Sequence, residues 1–407
     1  MVSRRSLLVG SAVASALATL RTRRAKAAPA PVAKPTYVPV EVPNGDKLPF
    51  KVVDGWKELH LVAEPVEHEV APGMIIHAWG YNGRTPGPVI ELVDGDKVRI
   101  RVTNKLPERT SVHWHGIFLP NGMDGVAGLN QPHIEPGETY VYEFVLRQHG
   151  VFMYHPHSDE MVQMALGMMG MIVVHPKVPE QVDRHFVYMV HEMFVEPGTA
   201  RPNPMVMNDF NLFTLNGRAY PGTAPLVVRT NQRVRISIGN LSMDSHPIHL
   251  HGFAFEEVGT EGGTIPKSAR WPTTTTNVPV GATRTIEFVA DAPGDWALHC
   301  HKSHHTMNPM GHDVPNMLGV KQGKLEGKVK KVLPDYMAMG EKGMGGMVMG
   351  APKNTLPMMT GKGPFGPIEM GGMFTVFKVR DGITSYGDPG WYAHPVGTVA
   401  KKESGKP

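Results

Sequence analysis

Cysteine is almost missing from this chain: Cys300 is the single one in 407 residues. No disulfide can form within the chain, and the thiol is left for other chemistry. Apolar runs of membrane length are also lacking. The stretch Leu7–Leu20 is broken by Gly10, Ser11 and Ser15 and falls short of the ~20 residues a spanning helix needs. Nor does any long helical periodicity stand out before residue 320. The chain is instead punctuated by 45 glycines and 37 prolines. Between them recur short β-branched runs such as Val98-Arg99-Ile100-Arg101-Val102 and Val234-Arg235-Ile236-Ser237-Ile238. Their alternation of apolar and polar residues is the period of half-buried strands, so the fold class is all-β.

An excess of charge is lacking too, once the first residues are set aside. Met1-Val2-Ser3-Arg4-Arg5-Ser6 precedes the apolar stretch, and Ala25-Lys26-Ala27 follows it. This reads as a cleavable export signal over residues 1–27, of the twin-arginine type, with an uncleaved anchor as the alternative. A periplasmic or secreted location follows. Cleavage after Ala27 removes Arg4, Arg5, Arg21, Arg23, Arg24 and Lys26 and no acid, taking the formal net charge from +4 to −2. Such a balance leaves no footprint for nucleic acid.

Histidine is what the chain has in quantity, 21 in all. Residues 299–310 read His-Cys-His-Lys-Ser-His-His-Thr-Met-Asn-Pro-Met. Thiolate, imidazole and a late thioether, in Cys300, His305 and Met310, are the soft donors of a blue copper centre, which also needs a second imidazole. The run His246-Pro247-Ile248-His249-Leu250-His251-Gly252 lies upstream to supply it. If 299–301 is a strand, His299 and His301 share one face and Cys300 takes the other, so one strand can serve two metal sites. Two further pairs, His113-Trp114-His115 and His155-Pro156-His157, also place two imidazoles on one strand face. Any one His-X-His is readily a chance surface pair. Four such motifs, one of them holding the sole cysteine, are not.

In order and at residue level, the four motifs resemble those of the multicopper oxidases, over about residues 75 to 320. The resemblance implies a type 1 copper on His246, Cys300, His305 and Met310. It implies a type 2 copper on His113 and His249, and a type 3 pair on His115, His155, His157, His251, His299 and His301. That makes four coppers per chain, with O2 as electron acceptor and a small reducing substrate or metal ion as donor. His304 could compete with His305, but spacing favours His305. Asp124, nine residues beyond His115, matches an acid that supports proton delivery in the family; a solvated turn before Gly125 is the alternative.

The two halves of the chain echo each other. Asn82-Gly83-Arg84 answers Asn216-Gly217-Arg218, His113-Trp114-His115-Gly116 answers His249-Leu250-His251-Gly252, and Gly150–His157 answers Gly294–His301. Two copies of one Greek-key sandwich of cupredoxin type are expected. They fall at 37–176 and 205–325, with a linker at 177–204 and a Met/Gly-rich tail at 326–407. Cys300 aligns with Pro156, His246 with Thr110 and His305 with Met161, so the first copy has no type 1 site. Met161, Met164, Met168, Met169 and Met171 are read as packing its vacated pocket. In the tail, Met337, Met339, Met344, Met347, Met349, Met358, Met359, Met370 and Met373 suit either soft-metal capture or simple packing. Phe374–Val379 is the one strand candidate there.

Only 88 residues separate His157 from His246, too few for a middle domain. This is similar to two-domain laccases, in which a homotrimer closes each trinuclear cluster between subunits. Two other functions stay open at this level. A copper nitrite reductase shares the outline but carries blue copper in its first domain and lacks the type 3 pairs. A copper-binding or copper-resistance protein without turnover would not need eight clustered histidines.

Overall fold

The computed structural model describes residues 37–308, 324–334, 353–356 and 361–403. The export signal, Met310 and Met337 through Met359 lie outside these residues. Among the described residues no helix is long and apolar enough to cross a membrane.

Two sandwiches of the same topology follow one another. In the first, Trp56–Ala71 runs parallel to Lys97–Asn104, which pairs antiparallel with Thr139–Val145. The facing sheet runs Ile90–Val93, Gly170–His175, Gly150–His155, His113–His115. The alternation seen in Val98–Val102 is resolved as expected: Val98, Ile100 and Val102 are buried in a core with Trp114, Tyr81 and Tyr154. The second sandwich repeats the plan. Arg184–Met193 runs parallel to Arg233–Asn240, which pairs antiparallel with Ala282–Val289. Its facing sheet runs Leu226–Arg229, Phe374–Arg380, Gly294–Cys300, His246–Leu250, Thr275–Val278.

The repeat extends to details. Asn82 and Gly83 have φ of 53° and 74°, and Asn216 and Gly217 have 49° and 74°. Both are turns with two successive left-handed residues, which Asn-Gly adopts at little cost. His113 pairs with His155 in register, and His249 with His299.

The strand plan also places two segments that the sequence reading had set apart. Arg184–Met193 lies wholly inside the residues read as linker, 177–204, yet all ten of its residues are buried and it is hydrogen-bonded into the second unit's sheet. Phe374–Arg380 lies in the Met-rich segment, beyond residue 325, and is inserted between Leu226–Arg229 and Gly294–Cys300. It is the counterpart of Gly170–His175, which pairs in the same senses with Ile90–Val93 and Gly150–His155. In the first copy this strand comes soon after the second histidine pair. In the second copy a long insertion precedes it.

The methionines after His157 divide by position. Met168 joins the first core, while Met169 and Met171 pack with Met153 and Met189 between the two sandwiches. Met161 is 48% exposed and packs in neither place. At Thr110, the counterpart of His246, polar groups pair instead: Thr110 Oγ1 lies 2.6 Å from the side chain of buried Gln163, whose amide also donates to the Arg109 carbonyl.

Candidate metal centre

Strand alternation sorts the motif residues by face. Trp114, Leu250 and Cys300 point into the two cores, and the histidines beside them point the other way. Cys300 meets His246 and His305 inside the second core, where all three side chains are fully buried. The two Nδ1 atoms are 3.1 Å apart, and Cys300 Sγ lies 3.9 Å from that of His246 and 3.5 Å from that of His305. A point equidistant from the three atoms lies about 2 Å from each, within the range of bonds that first-row metals make to imidazole and thiolate. His305 is held by stacking on Phe213, ring centroids 4.2 Å apart, and His246 by Ser242 Oγ at 2.8 Å from its Nε2.

The electrostatics of this trio call for a cation. Burial lowers the pKa of His246 to about 3 and of His305 to about 2, so both rings are neutral with lone pairs to offer. Burial pushes the Cys300 thiol up to about 12. A thiol so placed gives up its proton when a bound cation takes over the charge.

The remaining eight histidines form two quartets. His113, His115, His155 and His157 stand with ring centroids 5.3 to 6.2 Å apart. His249, His251, His299 and His301 stand 4.8 to 5.7 Å apart. Backbone carbonyls set their orientation. The Nδ1–H of His113 donates to Asp124 O, that of His155 to Pro156 O, that of His249 to Thr274 O and that of His299 to Cys300 O, at 2.7 to 2.8 Å. Each bond fixes the tautomer and leaves Nε2 as the free donor atom, the usual outer support of a metal-binding imidazole. His251 and His299 bring their Nε2 atoms to 3.1 Å, and His115 turns its Nδ1 to within 3.3 Å of His155 Nε2. Burial lowers the pKa of His115, His251 and His299, and lowers that of His155 to about 3. Among the described residues no ring contact or hydrogen bond joins one quartet to the other, and His251 and His301 are exposed.

Asp124 lies beside His113, with Oδ1 3.5 Å from Nδ1 and the backbone carbonyl closer still. Glycine is required next to it. Gly125 has φ of +89°, and a Cβ there would fall 1.8 Å from the Val112 carbonyl oxygen. Three residues beside the buried trio escaped the sequence reading: Phe213, Ser242 and Glu192, whose Oε2 is 3.7 Å from His246 Nε2. His304 lies outside the trio but shares a second cluster of donor atoms with Asp244 and His305.

Sequence profiles of the multicopper oxidase family match residues 64–179 and 196–317, together more than half of the chain. The chain belongs to the multicopper oxidase family. Its likeness to "Copper resistance protein A" of Escherichia coli is 45% identity over 113 residues, 27% of this chain and 18% of that protein. With Laccase-2 of Cryptococcus neoformans it is 32% identical over 225 residues, 46% of this chain and 36% of that protein. The chain thus spans less than a fifth of the copper resistance protein and about a third of the laccase. A solved multicopper oxidase superposes with a TM-score of 0.54 at 29% identity, over 63% of this chain and 88% of its own. The blue copper oxidase of Nitrosomonas europaea, at 22% identity and a TM-score of 0.59 over 79% and 85%, shares the fold. A multicopper oxidase of two cupredoxin-like sandwiches is a copper protein, and the expected fold class and family both stand.

Proposed function

We propose that this chain couples one-electron oxidation of a reducing substrate to four-electron reduction of O2 to water, with four coppers per chain. The observation that carries the reading is the sharing of one strand end by two donor sets. Cys300 joins the buried trio, and its neighbours His299 and His301 join an imidazole quartet. Bound copper would supply the acceptance of single electrons and the reduction of O2. The protein's part is to link and hold the two sites. Cys300 joins them through its own peptide bonds, and the carbonyls of Asp124, Pro156, Thr274 and Cys300 hold imidazoles with Nε2 free.

In this reading His246, Cys300, His305 and, outside the described residues, Met310 hold type 1 copper. His113 and His249 hold type 2. His115, His155, His157, His251, His299 and His301 hold the type 3 pair. The separation of the quartets within one chain supports closure between subunits, most simply in a homotrimer. The carboxylate of Asp124, beside His113, is suited to proton supply. An exported, periplasmic or secreted protein fits the first 27 residues. The donor is an organic reductant or a metal ion.

Copper-loaded protein is expected to be blue and to consume O2 with 2,6-dimethoxyphenol or Cu(I) as donor. Cys300→Ser is expected to abolish the visible charge-transfer band. Full copper occupancy without that band, or nitrite reduction without O2 uptake, would overturn the reading.

A further inference from the structure

The two sandwiches carry the same loop in the same place, but only one of these loops ends in a member of the buried trio. Asn104 and Asn240 close the matching strands Lys97–Asn104 and Arg233–Asn240, and both side chains bond alike. Asn104 Nδ2 donates to the carbonyls of Glu108 and Ile134, and its Oδ1 accepts from the Leu106 N–H. Asn240 Nδ2 donates to the carbonyls of Asp244 and Val278, and its Oδ1 accepts from the Ser242 N–H. This match sets Leu106 against Ser242 and Thr110 against His246. Val190 pairs with Asn240 as Ala63 pairs with Asn104, which sets Pro65 against Glu192 two residues on. The copy that has His246 thus has Ser242 and Glu192 beside it, where the other copy has Leu106 and Pro65.

The hydrogen bonds around His246 have a direction. Two carbonyl partners orient the Asn240 amide, so its Oδ1 only accepts. Ser242 Oγ donates to that oxygen at 2.7 Å. Its one hydrogen is then spent, and toward His246 Nε2, 2.8 Å away, the hydroxyl can only accept. The hydrogen of the neutral ring therefore sits on Nε2, and Nδ1 keeps the lone pair that faces Cys300 and His305. Glu192 presents a second acceptor to the same N–H. Its Oε1 is pinned by the backbone N–H groups of Met243 and Asp244, at 3.0 and 2.7 Å. Its Oε2, which has no hydrogen-bond partner, stands 3.7 Å from Nε2. Ser242, Glu192 and His246 are all buried, which shields these contacts from solvent.

We propose that Ser242 and Glu192 are positioning residues that hold His246 as its Nε2–H tautomer, and so set the copper affinity and the reduction potential of the trio. The proposal rests on the oxidase reading for what the trio does, but not for which nitrogen carries the hydrogen. Acceptors at Nε2–H make the ring a more basic ligand through Nδ1. A more basic ligand favours the more highly charged, oxidised metal. The pair therefore strengthens the site and lowers its potential.

The test reads the His246 tautomer in the copper-free full chain, from long-range proton–nitrogen couplings of isotope-labelled histidine, with the signal assigned by its loss in His246→Gln. Wild type is expected to be Nε2–H. In the double variant Ser242→Ala/Glu192→Gln the hydroxyl is gone and an amide N–H takes the place of Oε2, so the hydrogen is expected to move to Nδ1. That variant is expected to hold its blue copper at least about tenfold more weakly, the lower end of what loss of such support costs. Redox titration of the blue band is expected to show a higher potential. Ser242→Thr/Glu192→Gln, which restores the hydroxyl, is expected to recover the tautomer and most of the affinity. A wild-type Nδ1–H tautomer would overturn the proposal. So would a double variant that matches wild type in copper affinity and potential, or a threonine variant as impaired as the alanine one. Copper-loaded wild type without a blue band would instead sink the oxidase reading, because the tautomer is read without copper.

Discussion

Phe377→Ala tests whether the strand Phe374–Arg380 is a structural member of the second sandwich. The side chain is fully buried. Its ring meets Phe253 at 5.7 Å and 87°, and Phe288 at 5.4 Å and 66°, both edge-on contacts. Truncating a buried phenylalanine costs roughly 3–5 kcal/mol, and aromatic pairs add about 0.5–1.5 kcal/mol each beyond burial. The strand is paired on both sides, so the backbone has little freedom to collapse into the space left. The upper part of the range, about 4–5 kcal/mol, is expected. Against a typical total of about 5–15 kcal/mol that is a large fraction. The assay is urea unfolding of the copper-free chain, with hydrogen exchange followed at Gly294–Cys300, the strand paired with Phe374–Arg380. Exchange there is expected to speed up, while the first sandwich, Trp114 included, keeps its protection. A loss below about 1 kcal/mol, or unchanged exchange at Cys300, would refute the reasoning and make the strand an accessory.

Three further outcomes are expected. Asp124→Asn keeps the carbonyl that orients His113 but loses the carboxylate, so O2 turnover should fall at least about tenfold while reduction by the donor does not; general acid–base groups contribute about 10²-fold or more. Stopped-flow reduction of the blue band separates the steps, and equal slowing of both would count against proton supply. Burial lowers the pKa of His68 from 6.5 to about 4. Above pH 6.5 both folded and unfolded states hold it neutral. As pH falls from 6.5 to 4 the unfolded chain takes up a proton that the folded chain refuses, so stability is lost, by up to about 3 kcal/mol. His68→Gln should flatten that slope in copper-free unfolding between pH 7 and 4, and parallel slopes would dismiss the idea. Lastly, His115→Ala and His299→Ala variants, each inactive alone, should regain part of the oxidase activity when co-expressed, because some interfaces then pair two intact quartets. No recovery in verified mixed oligomers would point to clusters closed within a chain.

The legible parts of this protein are those with a period. Alternation at Val98–Val102 and Val234–Ile238 foretold strands, and the repeated Asn-Gly turns and His-X-His pairs foretold two copies. Cys300 and its histidines were legible because metal donors must be of particular types and strand alternation sets their faces. What has no period stayed hidden. Arg184–Met193 is buried on both faces and shows no alternation, so it reads as linker. The strand Phe374–Arg380 was seen, but its place was not, because the insertion before it hides the counterpart of Gly170–His175. Glu192 lies 54 residues from His246 and shares no motif with it. One signal was available, a lone carboxylate at the end of the apolar run Phe186-Val187-Tyr188-Met189-Val190, where acids are seldom buried without a task.

The division of labour between the sandwiches comes down to which way one residue points. Each sandwich brings two His-X-His pairs to neighbouring strands, in the same register, and so each builds a quartet at the same end. The residue between the histidines necessarily points into the core. In three pairs the outcome is structural: Trp114 and Leu250 fill the cores, and Pro156 takes the position that corresponds to Cys300. In the fourth pair that residue is Cys300, and the core behind it is furnished with His246, His305 and Phe213 instead of Thr110 and Gln163. A histidine pair alone gives a surface quartet. The same pair with a thiol between its histidines gives a quartet bonded to a second site on the far face of the strand. In the proposed function, the link between an electron-accepting site and an O2-reducing site therefore needs no dedicated element of structure, only the two-residue period of a strand and a thiol on its inward side.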